Sequence, residues 1–150
     1  PALVPADEID QVVVAADGTR TRIDPAPTGP ASDEPVVAPT IDAAPAELEP
    51  GQPLGRFFGA RSGDKGGNAN VGIWARDDAG YAWLAANLTA ERVRDLLPET
   101  GDRPIHRHEL PNLRALNFVL VGYLGEGVAS STAFDPQAKG LGEYLRSRPI

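Results

Sequence analysis

The chain has 150 residues, 41% of them hydrophobic and 6% aromatic, with no Cys and no Met. That length makes one ordinary domain or a small domain with an arm, and the missing Cys excludes disulfides, a thiol nucleophile, iron–sulfur clusters and Cys-ligated zinc. A net charge of -7 argues against general nucleic-acid binding, no apolar run reaches the ~20 residues of a membrane span, and no basic n-region with an apolar h-region marks a signal peptide.

The averages hide two unlike halves. Residues 1–53 hold ten of the 15 Pro and ten acids against Arg20 and Arg22, a net of -8; residues 54–150 carry 11 acids and 12 bases. Residues 1–53 are expected to form an arm and linker. Val12 to Val14, Asp17-Gly18 and Arg20 to Ile23 predict a short hairpin over 12–23, which is marginal on its own. The Pro-, Ala- and acid-rich stretch 24–53 buries too little apolar surface to offset its ordering entropy and predicts a linker. Residues 54–150 are expected to fold without the arm.

Within 54–150 the signals alternate. Leu54 to Ala60 predicts a strand, Arg61 to Ala69 a Gly-rich polar loop, and Asn70 to Ala75 a second strand. Residues 81–87 fit helix or strand. Thr89 is a good N-cap for a helix through Val93, Leu96 and Leu97 that Pro98 ends. Pro104 to Leu110 predicts a strand. The apolar run 112–124, with Asn112 as N-cap and Gly125 after its end, predicts a buried helix. Val128 to Phe134 predicts a strand, and 136–147 a last helix with Leu141, Tyr144 and Leu145 inward. The order β-β-α-β-α-β-α implies an α+β two-layer sandwich. Trp74 and Trp83 are expected in the core.

Two polar clusters carry the candidate chemistry. In Arg61-Ser62-Gly63-Asp64-Lys65-Gly66-Gly67-Asn68-Ala69-Asn70, three Gly let the backbone approach a ligand closely. Loop amides with Arg61 and Lys65 suit an anion nest. Asp64 and Lys65 would form a proton-transfer pair if buried together; they are the candidate catalytic residues. Arg61, Ser62, Gly63, Gly66, Asn68, Asn70, Asn112 and Asn117 are the candidate substrate-binding residues. The plainer alternative is a wide hairpin connection whose polar side chains fix turns. The cluster is neither a P-loop nor a dinucleotide fingerprint. In the second cluster, Arg107 to Asn112, His106 and His108 share a strand face without a third ligand, so no metal is expected. Asp135 and Lys139 make an i, i+4 pair at a helix start. No cofactor is called for.

Arg61 to Ile73, Glu109 to Phe118 and Asp135 to Gly140 resemble, in order, signatures of the acyclic terpene utilisation (AtuA) family, with a Leu-Thr-Ala-Glu-Arg-Val helix start at Leu88 to Val93 between the first two. The resemblance covers about residues 54–150. It implies the family's small C-terminal domain, a ferredoxin-like fold with a four-stranded sheet. It also implies a larger AtuA-type domain or subunit as partner, with residues 1–23 as that domain's tail, or alternatively a separately encoded small subunit. The family association implies bacterial, cytoplasmic catabolism of acyclic terpenoid or branched acyl-CoA thioesters. It transfers no residue role. Three readings stay open: part of a hydratase- or lyase-type enzyme acting on acyl-CoA, a non-catalytic assembly module, or a free-standing small-ligand binder. A homo-oligomer is expected, because an open four-stranded sheet has edges that invite pairing.

Overall fold

Two successive β-β-α runs build the body of the protein. The structure is a computed structural model that describes residues 4–25, 29 and 37–150. It divides into two units, Pro1–Val36 and Val37–Ile150. Of the linker expected over 24–53, residues 26–28 and 30–36 lie outside the described residues.

The first unit contains the expected hairpin. Strands β1 (Gln11–Val14) and β2 (Arg20–Ile23) pair antiparallel with Gln11 opposite Ile23. Gly18 takes φ 84 in the turn, and the Asp17 carboxylate accepts the Thr19 N–H at 2.9 Å. That hydrogen bond holds the Asp17 pKa below its ordinary value. Every residue of both strands is exposed.

In the second unit the elements are β3 (Gly59–Lys65), β4 (Asn68–Trp74), α1 (Asp78–Asn87), α2 (Ala90–Leu96), β5 (Ile105–Leu110), β6 (Ala115–Leu120) and α3 (Leu141–Arg146). The four strands form one antiparallel sheet in the order β3-β4-β6-β5. β4 and β5 therefore run parallel with β6 between them, joined through α1 and α2. That is a split β-α-β unit, and the connectivity is a rotated form of the ferredoxin-like β-α-β-β-α-β pattern. The helices contact β6, β5, β3 and β4 and cover one face. The core lies between the layers: Val71, Ile73, Leu116, Phe118 and Leu120 from the sheet, and Leu84, Val93, Leu141 and Leu145 from the helices, each at most 4% exposed. The α+β class and the four-stranded sheet are as the sequence implies.

Several elements differ from expectation. Leu54–Arg56 is a 3-10 turn, and the strand begins only at Gly59. Leu54 and Phe58 are both buried, four residues apart, and the N–H groups of Phe57 and Phe58 both bond the Leu54 carbonyl. The supposed Gly-rich loop is the larger part of β3 and the start of β4, joined by the two-residue turn Gly66-Gly67. The supposed helix 112–124 is β6, entered through a 3-10 turn at Pro111–Leu113 and an Arg114 at φ 50. Leu116, Phe118 and Leu120 are buried and Asn117 and Val119 lie opposite, which is a strand's period of two. Residues 128–134 form a turn, an irregular pair and a bend rather than a strand. The last helix is confined to Leu141–Arg146, and Tyr144 is 42% exposed rather than inward. Trp74 is also out of the core, at 39% exposed, whereas Trp83 stacks on Phe58 with centroids 5.4 Å apart.

The chain ahead of β3 is packed as well. Ile41 and Leu48 lie against the core. Gly51 N–H bonds Ile150 O, and Ile150 N–H bonds Gln52 O, both at 3.0 Å. A chain beginning at residue 37 is expected to exceed one beginning at 54 by about 2–4 kcal/mol in unfolding free energy, from two partly buried aliphatic side chains and their backbone bonds. Denaturant titration of the two chains checks this, and equal midpoints would show that residues 37–53 add nothing.

Candidate functional site

Pairing β3 with β4 decides what the polar cluster can do. Side chains alternate along a strand, so the run from Arg61 to Asn70 is split between two faces. Ala60, Ser62 and Asp64 share a face with Ala69, Val71 and Ile73, toward the helices. Arg61, Gly63 and Lys65 share the other with Asn68, Asn70 and Gly72. Asp64 and Lys65 thus lie on opposite faces, and among the described residues the Lys65 ammonium hydrogen-bonds only the Asp64 carbonyl oxygen, at 3.2 Å. The proposed proton-transfer pair is not assembled.

On the helix face, Ser62 is the hinge of a second cluster. Its hydroxyl donates to the Lys139 carbonyl oxygen at 3.2 Å and accepts the Gly142 N–H at 2.7 Å. Asp64 faces the Lys139 ammonium at 3.8 Å. Asp135 does not pair with the Lys139 side chain as expected. Its two carboxylate oxygens accept the N–H groups of Lys139 and Gly140, each at 2.9 Å. This Asp-Pro loop carries the chain through a buried Ala138 at φ 51. A Cβ on Gly142 would sit 3.2–3.3 Å from Arg61 and Ser62 atoms, so α3 approaches β3 closely. Between them lies a cleft of ≈ 350 Å³ lined by Ala60, Arg61, Ser62, Lys139, Gly142 and Glu143. Sequence reasoning had singled out Asp135 to Gly140 but placed it on a helix, which hid its meeting with Ser62 and Asp64.

Among the described residues no helix covers the other sheet face. At its centre the Asn70 amide donates to Asn117 Oδ1 at 2.6 Å, and the Asn117 amide donates back to Asn70 Oδ1 at 3.2 Å. This pair joins β4 to β6 and satisfies both half-buried amides. Asn68 is spent on structure: its Oδ1 accepts the Gly122 N–H at 2.8 Å. Gly66, at φ 62, shapes the turn and has the positive φ that a type II′ turn requires at its first central position. Asn112 is exposed on its 3-10 turn and makes no hydrogen bond with the other candidates among the described residues. His106 and His108 share this face, opposite Val119 and Asn117. At one end runs the row Gly59–Trp74–Ala115–Leu110, with Trp74 and Leu110 39% and 36% exposed. A Cβ on Gly59 would strike the Trp74 indole, so the glycine lets the ring lie across the strand.

A third feature borders Asp135 on its far side. Tyr123, Phe134, Leu141 and Tyr144 line a cleft of ≈ 610 Å³. Burial pushes the Tyr123 hydroxyl's pKa up, helped by Glu99 and Asp135. Among the described residues no three His, Asp or Glu side chains gather as a metal site, and no helix is long and apolar enough to cross a membrane.

A family model described as AtuA ferredoxin-like domain matches residues 52–150, about two thirds of the chain. No curated protein and no solved structure matches it.

Proposed function

The chain belongs to the AtuA ferredoxin-like domain family, and on that premise we propose that it is a non-catalytic assembly module of an AtuA-type protein that acts on acyclic terpenoid or branched acyl-CoA thioesters. Its partner is the larger AtuA-type domain, seated on the uncovered sheet face, and its setting is the cytoplasm. One observation carries this reading: among the described residues, a four-stranded sheet covered by helices on one side only, with the apolar row Trp74–Ala115–Leu110 beside a polar centre. An apolar patch rimmed by polar groups is the anatomy of a protein interface. The polar motif residues support the same reading. Ser62, Asn68, Asn70, Asn117 and Asp135 are spent on holding α3, the hairpin and β6 in place. A hydratase- or lyase-type site would need an acid and a base in one cavity, and Asp64 and Lys65 are divided by the sheet.

The test is co-elution of the full chain with a separately expressed larger AtuA-type domain, followed by light scattering. A defined complex is expected, and Trp74→Glu should weaken it ~10-fold or more, since a central aromatic anchor dominates such interfaces. No complex with the wild type, or one indifferent to Trp74→Glu, would remove this reading.

A further inference from the structure

We propose that the cleft between β3 and α3 binds a phosphate group of a small ligand between the Arg61 guanidinium and the Lys139 ammonium. Arg61 and Lys139 both line the same ≈ 350 Å³ cleft; β3 is an edge strand, and the Lys139 ammonium reaches round that edge to the side of Gly63, whose face Arg61 shares. The two cations come from segments nearly eighty residues apart in sequence and meet only because α3 packs on β3.

Lys139 is held in place at several points. Asp135 takes its N–H and that of Gly140, and the Ser62 hydroxyl donates to its carbonyl oxygen. Its ammonium lies beside Gly63, where an added Cβ would stand 3.1 Å from Nζ. A side chain at 63 would make this ammonium, the flexible end of Lys139, give by a few tenths of an ångström. Gly63 has no positive φ to explain its choice, and glycine inside a strand is otherwise unfavourable.

The charges around the cleft leave Arg61 over. Glu143 is engaged by Arg146, with both carboxylate oxygens within 2.9 Å of one guanidinium nitrogen. Asp64 faces Lys139 at 3.8 Å, a separation at which a half-exposed pair is weakly bound and readily gives way to a better partner. Among the described residues Arg61 makes neither an ion pair nor a side-chain hydrogen bond. An exposed guanidinium fork beside a point-charge ammonium suits an oxyanion with three accepting oxygens. The cleft is also wider than a lone carboxylate needs. On a chain of net charge -7 such a cationic spot is a local exception, and it would attract a phosphate against the overall field.

The experiment titrates the full chain, without any partner domain, with inorganic phosphate, phenyl phosphate and acetate at matched ionic strength, read by calorimetry and amide NMR shifts. Saturable one-to-one binding of both phosphates is expected, with acetate at least ~10-fold weaker for want of a third oxygen. Arg61→Gln and Lys139→Met should each weaken phosphate ~10-fold or more. Gly63→Ala should weaken it too, whereas Gly72→Ala, whose Cβ would meet nothing closer than 3.9 Å, should not. Lys65→Ala, at the end of β3 and outside the cleft, is the control for general charge. Absent saturation, equal acetate affinity, equal loss in Lys65→Ala, or binding retained in both Arg61→Gln and Lys139→Met would each overturn the proposal. Thermal melts of the variants show whether a loss reflects unfolding, and Gly72→Ala keeps the comparison valid if Gly63→Ala is unstable. None of these results bears on the docking reading, which Trp74→Glu tests.

Discussion

Phe118→Ala is expected to lower the unfolding free energy by about 3–5 kcal/mol, the range for truncating a fully buried aromatic side chain. Phe118 has no exposed surface. It sits mid-strand in β6, opposite Val71 on one side and Arg107 on the other, under the layer formed by α1, α2 and α3. Truncation removes transfer free energy and also leaves a cavity that the sheet cannot close, because both neighbouring strands are pinned by their ladders. A domain of this size commonly has only about 5–15 kcal/mol in hand, so most of the stability would go. The next residue supplies the contrast. Val119 is half-buried on the uncovered face, and Val119→Ala is expected to cost no more than about 1 kcal/mol. Urea titration of both variants decides it. Comparable losses at 118 and 119 would fit a helix buried all round and would contradict the strand.

That contrast shows why β6 was hidden in the sequence. In Leu116 to Leu120 four of five side chains are apolar, because the outward Val119 rests half-covered on the second sheet face. Only Asn117 breaks the run, and its partner Asn70 is 47 residues away. β3 failed for a different reason. Gly, Ser, Asp and Lys are poor strand formers, so its local chemistry suggested a loop, while its pairing along all seven residues with β4 decided the outcome. Where the controlling interaction is local, the sequence was legible. Thr89 caps α2 by accepting the Arg92 N–H at 3.1 Å, Asp17-Gly18 turns the first hairpin, and β5 lies within a residue of its expected limits.

The candidate site divides along the same line. Residue types marked two segments, Arg61 to Asn70 and Asp135 to Gly140, as unusual. Their roles depended on strand alternation and on a contact across the fold. Once β3 is a strand, Asp64 and Lys65 must part, however suggestive their adjacency. The nine residues expected as a loop, Arg61 to Ala69, are a two-residue turn flanked by ladders. The cluster of Gly, Asp and Asn then has structural work: Ser62 and Asp135 hold α3, and Asn68 anchors the hairpin tip.

At that tip, Gly67→Ala is expected to cost about 2–4 kcal/mol, more than Gly66→Ala, although only Gly66 has a positive φ. A Cβ on Gly67 would run into the Gly125 carbonyl oxygen. Both groups belong to backbone, so no side chain can swing aside. The two segments are also clamped: Leu124 N–H bonds Gly67 O at 2.9 Å, and Gly122 N–H bonds Asn68 Oδ1 at 2.8 Å. Relieving the clash means separating them, which loses both hydrogen bonds at about 1 kcal/mol each and loosens the apolar contact of Leu124 beneath them. Ala at Gly66 meets open space and bears only the strain of a left-handed backbone at φ 62, about 1–2 kcal/mol. Thermal melts give the ranking, and hydrogen exchange gives the mechanism: the amides of Gly122 and Leu124 should lose protection in Gly67→Ala and keep it in Gly66→Ala. If Gly66→Ala proves the costlier, the turn's own conformation governs the tip. The packing of residues 122–127 against it is then incidental rather than what fixes a glycine at 67.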